Sequence, residues 1–188
     1  MRMVQQIGRP VDLQRRAALL QRVVDYVLER GLSDLSLRPL ARAAGCDPSV
    51  LAHHFGSKDE LVSVVLNEVR GRVRELAESQ RESARSPGER LRALWSWCAA
   101  PERDPLYRLF FEAYGIALQH PDRYRPFLDT VVADWLHWMA DQTDETTATL
   151  AIAALRGLLL DLLATGDHVR TAAALSALAD ALDDRRMG

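Results

Sequence analysis

Cysteine is nearly absent from this chain of 188 residues: Cys46 and Cys98 are the two, with no CxxC pair and no histidine at metal-ligand spacing. That excludes a disulfide framework and a cysteine-ligated metal, and points to reduced thiols in a cytoplasmic protein. Lysine is scarcer still, since Lys58 is the only one among 24 basic residues. Long apolar runs are missing too. The opening MRMVQQIGRPVDLQRR holds no apolar core of the secretory kind. The most apolar stretch, Thr149 to Thr165, is interrupted by Arg156 and Asp161 and falls short of a clean membrane span. With no glycine-rich phosphate loop, nucleophile–base pair or metal cluster, neither catalysis nor a cofactor is expected.

What is present forms helix. The chain has 26 alanines, 48% apolar and 27% charged residues, the composition of a globular protein. Its length suits one compact domain, or a small module on a larger body. The net charge of −2 hides a division: residues 1–74 carry +4 and residues 75–188 carry −6. A basic front suits a polyanionic partner.

Cap and turn signals divide the chain into about nine helices with no convincing strand. The first runs from near Asp12 to Arg30 and ends at Gly31, with Leu20, Val24, Val27 and Leu28 on one face. Ser36 caps a short second helix, with Leu35 and Leu40 as a hydrophobic staple and Pro39 in its first turn, and Gly45 stops it. Asp47 and Pro48 open a third that ends near Phe55. Ser57 to Glu60 is a capping box for a long fourth helix, and residues 36–55 thus have a helix-turn-helix layout. A second capping box, Ser86 to Glu89, opens a fifth helix carrying Trp95 and Trp97. Asp104 begins a sixth that ends at His120-Pro121, and a seventh spans about 123–141. Asp144 to Thr165, closed by Gly166, and about Val169 to Asp183 complete the set.

Gly31, Ser36, Leu40-Ala41, Ala43-Ala44-Gly45, Leu51, Phe55, Ser57-Lys58 and Leu61 stand in one joint spacing without a gap. In that spacing the segment resembles the DNA-binding domain of the TetR family of transcriptional regulators. Beyond it the likeness is limited to helix count, length and the Gly-Leu-Leu-Leu-Asp-Leu run from Gly157 to Leu162. The resemblance implies an all-α fold, with a three-helix helix-turn-helix head (1–56, preceded by a flexible arm, 1–11) on a larger helical-bundle body (57–188) for ligand binding and dimerisation. It also implies a ligand-responsive regulator, a repressor released from a palindromic operator by a small, largely apolar effector. Ala52 departs from the family, which usually has a tyrosine there whose hydroxyl holds a DNA phosphate. An interaction module that has lost DNA binding is therefore the alternative, with a helical enzyme further behind.

The residues support specific sites. Pro48, Ser49, Val50, His53 and His54 would share the exposed side of the third helix, with Leu51 and Phe55 inward, so that they meet base edges in the major groove. Arg38, Arg42 and Lys58 would reach bases or phosphates, and Arg2 and Arg9 on the arm could add contacts. Adjacent histidines point about 100° apart on a helix, a poor chelate, so no metal is expected. In the body, Trp95, Phe110, Phe111, Tyr114, Trp135 and Trp138 could line an apolar ligand cavity; all four tryptophans lie between 95 and 138. Arg156 and Asp161 are expected to pair across an interface or orient the ligand. Ala151, Ala154, Leu155, Leu158 and Leu162, with Ala174, Leu175, Leu178 and Leu182, are the expected homodimer contact of the last two helices.

Overall fold

The computed structural model describes residues 10–32, 35–81 and 84–184, and among these every regular element is helical. Arg2, Arg9 and most of the expected arm lie outside the described residues. The chain forms two compact units, Met1–Val65 and Leu66–Gly188.

The first unit holds α1 (Pro10–Arg30), α2 (Leu37–Ala44), α3 (Pro48–Phe55) and the start of α4 (Lys58–Arg81). Ser36 and Asp47 occupy the extended backbone positions before α2 and α3, yet neither side chain makes a capping hydrogen bond. At the other end of α2, Gly45 takes the left-handed conformation with φ 69°. Its amide donates to the Arg42 carbonyl and the Cys46 amide to the Ala41 carbonyl, which satisfies the last carbonyls and turns the chain into α3. From α1, Arg22 Nη1 donates to the Ala44 carbonyl at 2.8 Å. Arg16 Nε donates to the His54 carbonyl at 3.3 Å, and its guanidinium lies 4.8 Å from the centre of the Phe55 ring. Two arginines of α1 thus tether the C-terminal ends of α2 and α3. Val23, Val24, Val27, Leu40, Ala44, Leu51 and Phe55 are buried. So are Leu61, Val62 and Val65, and the unit accordingly runs through the first turns of α4 rather than closing at residue 56.

The second unit contains the rest of α4, α5 (Pro87–Cys98), a 3-10 turn (Pro101–Arg103), α6 (Asp104–Gln119), α7 (Arg125–Val131), α8 (Ala133–Met139), α9 (Glu145–Thr165) and α10 (His168–Asp184). The caps expected at Ser86 and Asp144 form: each side chain accepts the amide three residues on, from Glu89 and Thr147. The helix expected over 123–141 is broken at Val132, because the Trp135 amide bonds the Val132 carbonyl and not that of Val131. Arg156 Nη2 takes the Val131 carbonyl instead, at 2.5 Å. Near the start of α5, Gly88 passes against α10; its amide donates to Asp183 at 2.8 Å, and a Cβ there would collide with the Ala179 carbonyl oxygen. Arg90, 2% exposed, donates to the Trp138 carbonyl (2.7 Å) and to both carboxylate oxygens of Asp141 (2.6 and 3.2 Å). Leu91, Leu94, Trp95, Met139, Ala151, Leu155, Leu159 and Leu175 pack the core around it. Among the described residues α9 alone is long and apolar enough to cross a membrane, but one of its faces belongs to this core.

Candidate nucleic-acid interface and effector cavity

Within the head, α3 divides as its sequence requires. Leu51 and Phe55 are buried, Pro48, Ser49 and His53 are exposed, and Val50 is half-buried. Arg38, Arg42 and Lys58 are exposed. His54 departs from the expectation: its side chain is 8% exposed, with Nδ1 3.7 Å from Asp12 of α1. A residue adjacent to His53 is turned away from the outer side by the helical period, so His54 supports α3 and does not share its reading surface. The sequence also gave no sign of a groove of about 260 Å³ between α1 and α3, where Asp12 and Arg15 join Ser49, Val50, His53 and His54. Arg15 is exposed there and adds a cation beside α3. At the start of α4 the capping box closes, with the Ser57 amide bonded to Glu60 (2.7 Å) and the Glu60 amide to Ser57 Oγ (3.3 Å). Hydrogen bonds from the Ser57 amide first, and then from its hydroxyl, hold the Glu60 carboxyl below its ordinary value. The Lys58 ammonium stands exposed at this end of α4.

The expected aromatic residues separate in the body. Phe110, Trp135 and Trp138 line a cavity of about 290 Å³, with Val69, Arg70, Val73, Arg74 and Glu78 of α4 and Asp134 and His137 of α8. Its wall is not purely apolar, since Arg70 Nη1 pairs with Asp134 at 2.6 Å. Phe111 lines a small void with Phe110, Trp135 and Arg156. Tyr114 packs on Phe110 and Phe127, and Trp95 is 7% exposed in the core; neither lines these spaces. Arg70 and Asp134 were missed in sequence because a charge on a helix says nothing of which neighbour it will meet. Arg156 is half-buried beside the Phe110 and Tyr114 rings, and burial lowers its pKa from the ordinary arginine value. Asp161 pairs within the chain with Arg170 (2.6 and 2.8 Å).

The expected dimer residues need correction. Ala151, Leu155, Leu162, Leu175 and Leu182 are buried in the body's own core, Ala154, Leu158 and Leu178 are half-buried, and only Ala174 is exposed. On α9 the expected set falls on the buried stripe and its flank, not on the outer one. The outer stripe is Leu150, Ala153, Gly157, Leu160 and Ala164, all exposed and spaced three and four residues apart.

A helix-turn-helix unit with a polar outer face, followed by an all-helical unit with an aromatic-walled cavity, defines a two-module helical protein. Residues 27–65 match the family model for bacterial regulatory proteins of the tetR family. The regulator BetI of Rhizobium meliloti (strain 1021) is 28% identical over 144 residues, 76% of this chain and 60% of BetI. The chain thus spans about three fifths of that curated relative's length. SCO7518 of Streptomyces coelicolor A3(2), described as a transcriptional regulator, is 21% identical with TM-score 0.78, over 90% of this chain and 98% of that one. The multidrug binding protein EbrR, in complex with proflavin, is 27% identical with TM-score 0.66, over 87% and 99%. Residues 27–65 thus carry the sequence of a tetR-family DNA-binding domain, and the chain as a whole is similar to regulators of that family.

Proposed function

We propose that the chain is a ligand-responsive, DNA-binding transcriptional regulator: a cytoplasmic homodimer that represses from a palindromic operator and is released by a small, largely apolar effector. The observation that carries this reading is the division of α3, with Leu51 and Phe55 buried and Pro48, Ser49 and His53 outward, in a unit that also exposes Arg15, Arg38, Arg42 and Lys58. A short helix of this kind presents its outer residues to base edges while the cations engage phosphates. The roles of its relatives are regulatory, and no catalytic role is proposed.

The cavity walled by Phe110, Trp135 and Trp138 suits an aromatic or apolar effector, and proflavin on EbrR is a ligand of that kind. The route from effector to DNA is α4, one helix that gives Leu61 and Val65 to the head's core and Val69, Arg70 and Val73 to the cavity wall. The twin seats on the outer stripe of α9, where Leu150 and Leu160 remain 53% and 52% exposed and Gly157 permits close approach.

Selection of an operator duplex from a random pool, followed by titration at increasing salt, tests the DNA-binding role. With about six to ten phosphate contacts per dimer, affinity should fall by ~10³–10⁵ between 50 and 200 mM salt. A flat response would return the chain to the interaction-module alternative.

A further inference from the structure

We propose that the effector carries a carboxylate and that Arg156 is the residue that holds it, with the effector's apolar part against Phe110 and Trp135. The inference rests on the ligand-responsive reading above and narrows its effector class.

Arg156 is a cation in an otherwise apolar stretch of α9, half-buried, with its guanidinium 6.0 Å from the Phe110 ring centre and 5.8 Å from that of Tyr114. Two other arginines drawn into this unit have carboxylates, Asp134 for Arg70 and Asp141 for Arg90, while Arg103 lies over the Trp97 ring and lines neither space. Arg156 has none among the described residues; the Val131 carbonyl is its one hydrogen-bond acceptor there. Removing a guanidinium from water without a counter-charge is costly, and contact with two ring faces recovers only part of that cost. Capping one carbonyl uses one of five donors, which a neutral amide side chain could supply as well.

The Arg156 side chain lines a void of about 20 Å³, with room for about one water molecule. Phe110 and Trp135 wall both this void and the 290 Å³ cavity, so the two rings form the partition between them. If they swing aside, a single chamber results, with an apolar end and a planar cationic fork. A carboxylate matches that fork with two parallel hydrogen bonds.

The test uses the full chain with a matched pair of probes, 2-naphthoate and 2-naphthamide, followed by calorimetry and tryptophan fluorescence. Naphthoate should bind about tenfold or more tightly than naphthamide. Arg156→Gln should remove that preference by weakening naphthoate alone, and Arg156→Lys should retain part of it. Equal affinities in the wild type, or a preference that survives in Arg156→Gln, would overturn the proposal while naphthamide binding still upholds the ligand-responsive reading. If neither probe binds, both fall. Should Arg156→Gln fail to fold, judged by its melting curve, the wild-type pair and Arg156→Lys decide.

Discussion

The two units place their charges in opposite ways. In the head, Arg38, Arg42 and Lys58 stand exposed and make no ion pair among the described residues. In the body, Arg70, Arg90, Arg92 and Arg170 are each joined to an aspartate, at Asp134, Asp141, Asp180 and Asp161 respectively. Cations left unpaired on a surface suit an external polyanion, whereas cations paired inside a helical body serve to hold helices together. This comparison supports the proposal that the head's partner is a polyanionic macromolecule. The body pairs many of its own cations, whereas Arg156, against Phe110 and Tyr114, has no carboxylate among the described residues.

The largest effect is expected from separating the twins. Leu160→Arg puts a charge on the outer stripe of α9 and should halve the mass in ultracentrifugation to the 21.1 kDa of one chain. With the two heads no longer linked, operator affinity should fall by about 10²–10⁴-fold while circular dichroism stays unchanged. Gly88→Ala comes next. Its methyl group meets the Ala179 carbonyl and should destabilise the body by about 1–3 kcal/mol. All four tryptophans belong to the body, so their fluorescence melt should shift while DNA binding below that melt does not. Ala52→Tyr sharpens the comparison on the head's side. Ala52 is exposed on α3, and a phenol there should tighten binding to every DNA sequence by about tenfold, through one added bond to a phosphate.

Acid should give the smallest difference. Asp144 is held below the ordinary aspartate range by the Thr147 hydroxyl and amide, and Asp161 by the Arg170 guanidinium; in the head only Glu60 shows a clear depression among the described residues. A carboxylate with a depressed folded pKa stabilises the fold above its unfolded value, and that contribution disappears as pH falls through the folded one. Below about pH 4 the body should therefore weaken slightly more than the head, seen as tryptophan fluorescence changing before DNA-binding competence is lost on return to neutral pH.

Most local signals were legible in the sequence, although the Ser36 and Asp47 side chains make no capping bond, and distant ones were not. The Ser57–Glu60 box, the Ser86 and Asp144 caps and the Gly45 turn each involve groups within a few residues, so spacing alone identifies them. The inward set of α3 followed from the same short-range period, although His54 shows that one step of about 100° decides whether a side chain reads DNA or packs on α1. The bundle was harder. Trp95 and Trp138 sit at similar depth in the core, yet only Trp138 also meets the cavity, and that depends on how α4 and α8 pack. Leu155 and Leu160 look alike in a string of leucines, and only the packing partners of α9 separate core from outer surface. Arg90 gave no sequence signal, because its partner Asp141 lies in the distant turn after α8.

The central claim is that filling the body's cavity changes the head's hold on DNA. The direct measurement is the affinity of the full chain for its selected operator duplex, with and without 2-naphthamide at a concentration that saturates tryptophan quenching. The account predicts that affinity falls by about 5–150-fold when the cavity is occupied. An operator affinity that is the same with the probe bound and with it absent would contradict the account.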